Sequence, residues 1–444
     1  MDDIDLRRHL ENMECHFKWQ LDCSPSKLEN LYQDLQDRLQ TGCTWMSQLK
    51  NLLGYVLHAL GSRDEALTCL EKAEKTIKEQ GDKEKDSLLL VNQANLAWVH
   101  YFRGELTESQ AYLEEVTRLQ ETLPAPSGSQ MYPELSGQKG WALLMFETRH
   151  KQQAIECFKI ALKYAPQKRH FHKGLALAMG WGYTESEVTP ELKREIVEKL
   201  RVAKLMNEND ICVAALLINL LLNSGEKEKA QEEANKLAEE LIASGCLDGL
   251  NNVLRLMYRL NEYDKAIDVA KTMLDLFPRS TRAKKNLAIS LYWKVIFLKE
   301  KTEERTAMAT RAIALYEEVN TQHFVKGRRS LATMYVKVDN FDAANNIYEN
   351  LLGQEHLCDA DKQLLYTEYG HCLYKCNRIS EAVDMYIKAV QVPVVSDNRD
   401  RCIKKLVSLV RYGRHNRGDE IWAFLLDLLC VSCRHNGRKL LLKK

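Results

Sequence analysis

The stretch Asn51-Leu-Leu-Gly54-Tyr-Val-Leu-His-Ala-Leu-Gly61-Ser-Arg-Asp-Glu-Ala66-Leu-Thr-Cys-Leu70-Glu-Lys-Ala73 decides the fold. Ala66 lies 12 positions after Gly54, and Leu70 and Ala73 follow at steps of 4 and 3. The same steps return near the other end of the chain as Gly370, Ala382, Tyr386 and Ala389. Steps of three and four put side chains on one face of a helix. Gly61, between the two apolar runs, reads as a turn. The stretch is therefore two helices joined by a tight turn, with small residues where their backbones approach.

Working outward, the pattern repeats with the ~34-residue period of the tetratricopeptide unit. Further copies hold Leu96, Ala97, Gly104 and Leu113, then Ala142, Ala154, Phe158, Ala161 and Pro166. Later ones hold Leu217, Gly225 and Ala230, then Ala266, Met273 and Pro278, then Leu287-Ala288, then Leu331, Ala332, Tyr335, Ala344 and Tyr348. The expected fold is all-α, a right-handed superhelical solenoid of helix-turn-helix repeats around a concave central groove. Expected divisions are N-terminal helices over 1–45, first repeats over 46–120, and middle repeats with insertions over 121–245. C-terminal repeats over 246–395 and a basic helical tail over 396–444 complete the chain. Three interruptions read as loops: Leu123–Ser129, Gly180–Pro190 and Phe297–Thr306.

Composition fits an ordered helical core, since 45% of the 444 residues are hydrophobic and 28% charged. The net charge of +1 gives no strong overall field, so any affinity for nucleic acid must come from local clustering. The acidic start Met1-Asp2-Asp3-Ile4-Asp5 lacks the order of a signal peptide. The longest apolar run, Ile211 to Leu222, falls short of the ~20 residues a membrane span needs. The 13 Cys are scattered and odd in number, which does not suit a disulfide framework. A cytosolic protein without membrane contact is expected.

Phasing assigns an inside. In this repeat the first helix lines the concave face. Reading those positions yields Gln48, Tyr55, His58, Trp98, Tyr101, Lys139 and Phe146. Further on they are Arg255, Tyr258, Arg259, Arg282, Lys285, Tyr292, Trp293, Lys326, Arg329, His371 and Tyr374, with Asp248 the one acid. Cations interleaved with aromatic rings suit single-stranded nucleic acid, because phosphates meet Lys and Arg while bases stack on rings. Ordinary packing between helices would account for half of these rings equally well, and both explanations stand at this point.

Four strings then point to a family: Cys15-His16-Phe17-Lys18-Trp19, Asn51-Leu52-Leu53-Gly54-Tyr55-Val56, Ala97-Trp98-Val99-His100-Tyr101 and Gly140-Trp141-Ala142-Leu143-Leu144. In this order and at these intervals they resemble the interferon-induced proteins with tetratricopeptide repeats, from about residue 10 to about residue 410. The resemblance implies a cytosolic antiviral effector of innate immunity. It would hold foreign single-stranded RNA by its 5′ end, a triphosphate or an incompletely methylated cap, in a positively charged channel and keep it from translation. It also implies that Trp141 stacks on a cap base. Lys139, Arg255, Arg259, Lys285, Lys326 and Arg329 are the cations expected to build the rest of the RNA-binding groove. The family lysine after Gly-Trp-Ala-Leu-Leu is Met145 here, the arginine expected near Trp181 is missing or displaced, and an Arg-Tyr pair falls at Asn251-Asn252.

No catalysis, cofactor or metal is expected. The chain has no GxxxxGK[ST], GxGxxG, GxSxG or HExxH motif. The lone Cys430-Val-Ser-Cys433 and the pair His170 and His172 lack partners at ligand spacing. The rival reading is a non-enzymatic protein-protein scaffold in antiviral signalling, with little RNA-end selectivity. Of the clamp residues that hold a chaperone's C-terminal carboxylate, only Asn95 matches, the other places being Asn51, Tyr55, Ser136 and Gly140. Association with itself or with other family members is compatible with either reading. Near the end, Arg399, Arg401, Lys404, Lys405, Arg411, Arg414 and Arg417 form a basic segment before the apolar run Trp422–Val431.

Overall fold

In a computed structural model the chain is described over residues 2–41, 46–79, 85–122, 132–146, 150–182, 188–222, 227–298, 300–319, 325–354, 357–412 and 417–436. The side chains of 26, 182 and 429–436 are not described. The expected loop 123–129, part of the loop after Gly180, and the side chains of Cys430 and Cys433 lie outside the described residues. Among the described residues there are twenty-two α-helices and no strand. Two helices, Asp3–Glu11 and Pro25–Gln40, precede the first hairpin, Met46–Ala59 with Arg63–Glu79. Hairpins follow in sequence to the last, Asp397–Arg411 with Gly418–Asn436.

The small residues that defined the repeat sit where helices touch. A Cβ placed on Gly54 would come within 2.5 Å of the Leu70 side chain, and one on Gly370 within 2.7 Å of Tyr386. Real Cβ atoms do not approach so closely, so each hairpin needs glycine opposite its large partner.

The turns share one chemistry. Gly61, Gly104, Asn261, Asp339 and Asn377 all take left-handed backbone angles, with φ between 60° and 90°. In each, the next residue's N–H reaches back over the turn: Ser62 to Leu57, Glu105 to His100, Glu262 to Met257, Asn340 to Tyr335 and Arg378 to Leu373, at 2.9 to 3.0 Å. This is the Schellman closure of a helix end, which tolerates Gly, Asn or Asp because these pay least for that conformation. The Phe297–Thr306 interruption is likewise short. Thr302 caps the helix Glu303–Glu318 by accepting from the Arg305 N–H.

The chain forms two compact units, Met1–Lys294 and Val295–Lys444. In the first, the segment Cys15–Trp19 is driven into the stack. Trp19 and His16 are buried, and Phe17 lies 5.2 Å from Tyr55, 5.0 Å from His58 and 6.0 Å from Trp98, ring to ring. Tyr55, Trp98 and Phe146 are each less than 10% exposed. For these three phased rings, packing is the observed role. In the second unit, Tyr348, Tyr386 and Leu406 anchor a separate core.

A charge-paired cavity in the first unit

The N-terminal helix Pro25–Gln40 lies outside the repeats, yet it supplies one wall of a cavity in the first unit. Three contacts with residues more than two hundred positions away hold it there. Ser280 donates to the Asp37 carboxylate at 2.9 Å while its oxygen caps the following helix, accepting from the Ala283 N–H at 3.1 Å. Arg38 lies 2.7 Å from Asp34 and 3.4 Å from Asp248. Arg282 meets the same two carboxylates at 3.8 and 3.4 Å. The two arginines and two aspartates thus form a closed clasp.

Behind this clasp is a cavity of about 270 Å³. Its lining includes Leu49, Leu52, Leu177, Met145 and the indoles of Trp141 and Trp181. Trp141 is held edge-on to Phe158, whose ring lies 5.4 Å away. Polar groups share the lining, and Lys173 lies on the same helix stripe as Leu177 and Trp181. Lys173 pairs with Asp210 at 2.7 Å, and Asp210 also caps the helix Ile211–Leu221 by accepting from the Val213 N–H. Asn252 is pinned by donating to the Cys212 carbonyl at 3.1 Å. Gly249, with φ of 97°, turns the chain there so that Asn251 and Asn252 face the cavity.

Electrostatics follow from these neighbours. Burial pushes the Asp34 carboxyl up, but Arg38 and Arg282 more than reverse this and hold it below the usual carboxylate range. Burial works against the Lys173 ammonium, and Asp210 outweighs it, so this lysine stays charged. Burial pushes His16 down to about 3, so its ring on the cavity wall is neutral. Cys212 is pushed up to about 12 by burial and is a thiol.

The seven residues expected to bind RNA are dispersed. Trp141 alone of them lines the cavity. Lys139 turns to Glu14, at 3.9 Å. Lys285 acts on Asp34 by its charge, from the clasp side. Arg255 and Arg259 are exposed on the helix Leu250–Leu260, and Arg259 donates to the Asn219 side chain at 2.9 Å. Lys326 and Arg329 belong to the second unit, Lys326 exposed and Arg329 paired with Glu368 at 3.2 Å.

Phasing missed Asp34, Arg38 and Lys173, which lie on the cavity. The first two precede the repeats, so the repeat carried no information about them. The positions marked as departures, Met145, Trp181 and Asn251, all fall on the cavity wall. Of the chaperone-clamp places, Asn51, Asn95 and Ser136 are fully buried. Among the described residues, no group of three or more His, Cys, Asp or Glu is arranged to hold a metal, and no helix is long and apolar enough to cross a membrane.

Residues 45–122 match the tetratricopeptide repeat model. Human interferon-induced protein with tetratricopeptide repeats 2 is 27% identical over 95% of this chain and 92% of its own. Human antiviral innate immune response effector IFIT1 is also 27% identical, over 92% of this chain and 88% of its own. The chain is a homologue of the interferon-induced proteins with tetratricopeptide repeats. The solved structure "Human IFIT1 dimer with PPP-AAAA" superposes with a TM-score of 0.74 at 25% identity, covering 92% of this chain and 90% of that one.

Proposed function

We propose that this protein is a non-enzymatic antiviral effector of the cytosol that binds single-stranded RNA, takes the 5′ end into the cavity of the first unit, and so withholds the RNA from translation. The observation that carries this reading is the cavity itself, whose lining holds the indoles of Trp141 and Trp181 together with Arg38, Lys173 and Arg282. Indoles suit a base and the cations suit a phosphate backbone. The similarity to the solved structure of the IFIT1 dimer with PPP-AAAA supports the RNA reading. In this reading Trp141 stacks on the terminal base. Lys139, Arg255, Arg259, Lys285, Lys326 and Arg329 meet phosphates further along the RNA. No step makes or breaks a covalent bond. Self-association is part of the proposal, supported by the dimeric IFIT1 structure and by Trp422 and Leu426, which are each nearly half exposed on the last helix.

The test is a titration with short RNAs of one sequence carrying 5′-triphosphate, cap or hydroxyl ends. Measurable binding that depends on the end is expected. Equal, negligible affinity for all three would sink the RNA reading and favour a protein scaffold.

A further inference from the structure

The cavity has an electrical property that a phosphate-binding pocket would not need. Among the described residues on or directly against it, three cations face three carboxylates: Arg38, Lys173 and Arg282 against Asp34, Asp210 and Asp248. Every cation is engaged. Asp34 and Asp248 each touch both guanidiniums, at distances from 2.7 to 3.8 Å. Lys173 is engaged by Asp210 at 2.7 Å. Lys285 adds one further positive charge near Asp34, and His16 adds none because its ring is neutral.

A free triphosphate brought here meets two effects. To reach Arg38 or Arg282 it must displace a carboxylate or share its cation with one. Two like charges about 4 Å apart repel, and more strongly near a protein surface than in water. A displaced aspartate would also be left beside the cavity without its partner, itself a penalty. The rest of the lining offers what a phosphate cannot use, the rings of Trp141 and Trp181 and the side chains of Leu49, Leu52 and Leu177. Such rings favour a stacked base. The volume of about 270 Å³ is at the small end of ligand sites, which typically span about 300–1,000 Å³.

We propose that Asp34 and Asp248 make this cavity discriminate against a free 5′-triphosphate, so that the RNA ends it holds are those whose outermost group is a planar base. An unphosphorylated 5′ nucleoside meets that requirement fully; a capped end also presents a base but carries a bridging triphosphate behind it. This rests on the reading of the cavity as an RNA 5′-end site, and it chooses between the ends that reading leaves open. The two aspartates are specificity-determining residues. They act by occupying the cations that a γ-phosphate would seek.

The experiment compares the intact protein with Asp34→Asn/Asp248→Asn, using RNAs of one sequence with 5′-hydroxyl, 5′-triphosphate and capped ends at about 0.1 M salt, where exposed charges are moderately screened. The intact protein is expected to bind triphosphate RNA no more tightly than hydroxyl RNA, and capped RNA at least as tightly as triphosphate RNA. The double variant is expected to gain about tenfold for triphosphate over hydroxyl, the equivalent of one carboxylate repulsion relieved. Asp34→Glu/Asp248→Glu keeps the charge and is expected to keep the exclusion. A tenfold or greater preference of the intact protein for triphosphate overturns the proposal. So does an unchanged end preference in a double variant that melts like the parent. If the double variant does not fold, Asp34→Asn and Asp248→Asn are measured singly against the same expectation and the same reversal. Failure of the intact protein to bind any of the three RNAs instead removes the RNA reading itself, and this inference falls with it.

Discussion

The cavity of the first unit and the first-helix face of the second unit use basic side chains in opposite ways. Around the cavity each cation has a carboxylate within ion-pair distance, so Arg38, Lys173 and Arg282 are spent on Asp34, Asp248 and Asp210. In the second unit Arg329 is also paired, with Glu368, but a group of other cations lies among one another. Burial pushes Lys337 down to about 8, and Lys375 and Arg305 push it the same way. Burial likewise lowers His371, with Lys405, Arg401 and Lys375 adding to it against a hydrogen bond to the Thr367 carbonyl. Lys405 sits 5.0 Å above the ring of Tyr374. A balanced cavity can select by shape and stacking, because it exerts little net pull on phosphate. An unbalanced row attracts phosphate without regard to sequence, in proportion to its charge and in inverse relation to salt. In the proposed function, the first unit reads the end of the RNA and the second supplies backbone affinity.

The largest expected break in this comparison is Trp141→Ala. Losing a stacking partner should lower affinity about tenfold to a hundredfold for an end that presents a base. The slope of log affinity against log salt should not move, since no cation is lost. Trp141 also packs on Phe158, so thermal unfolding is followed alongside, and Trp141→Phe, which keeps a ring, should recover most of the binding. A changed salt slope with retained end preference would mean that this wall does not hold the base.

The complementary break is Lys326→Glu/Lys375→Glu/Lys405→Glu. Single-stranded nucleic acid contributes about 0.7 to the salt slope per neutralised phosphate, so three lost contacts should reduce its magnitude by about 2. Overall affinity should fall about tenfold at moderate salt, equally for hydroxyl, triphosphate and capped RNAs. Loss that depends on the 5′ end would contradict the division of labour. These three lysines sit on the helices Val325–Lys337, Asp359–Lys375 and Asp397–Arg411, the first helices of successive hairpins.

Sequence made the hairpins legible because their signals are local. Gly54 and Gly370 are fixed by the large residue opposite, and Asn261 and Asn377 do the work of Gly61 at a turn. Trp141 was singled out on a family string, although its position in the repeat is ordinarily a core one, and it does line the cavity. The clasp was illegible. Arg38 and Asp248 are 210 positions apart, and no periodicity links a helix before the repeats to a turn between them. Phasing also placed Tyr55 and Trp98 on an open face, whereas Phe17 covers them. A repeat predicts which way a side chain points, but not what a non-repeating segment will lay over it.

The smallest effect distinguishes the two regions by proton rather than by mutation. Burial pushes Glu368 up to about 7 against the pull of Arg329, and Lys337 titrates near 8. As pH falls from 9 to 6, Lys337 gains its charge and Glu368 loses its own, so the second unit gains up to two positive charges. RNA phosphodiesters keep their charge throughout this range. Affinity should therefore rise a few-fold toward pH 6, and the salt slope should steepen with it. The cavity should be indifferent over the same interval. His16, at about 3, is neutral throughout, and Asp34, held below the ordinary carboxylate range, is ionised throughout. The ratio of affinities for hydroxyl and capped RNA should thus stay constant while both rise together. Lys337→Met and Glu368→Gln, which fix the two charges, should each remove part of the rise. A pH dependence that survives both substitutions, or that appears in the ratio between ends, would place the titrating group in the cavity and reverse the assignment of the two regions.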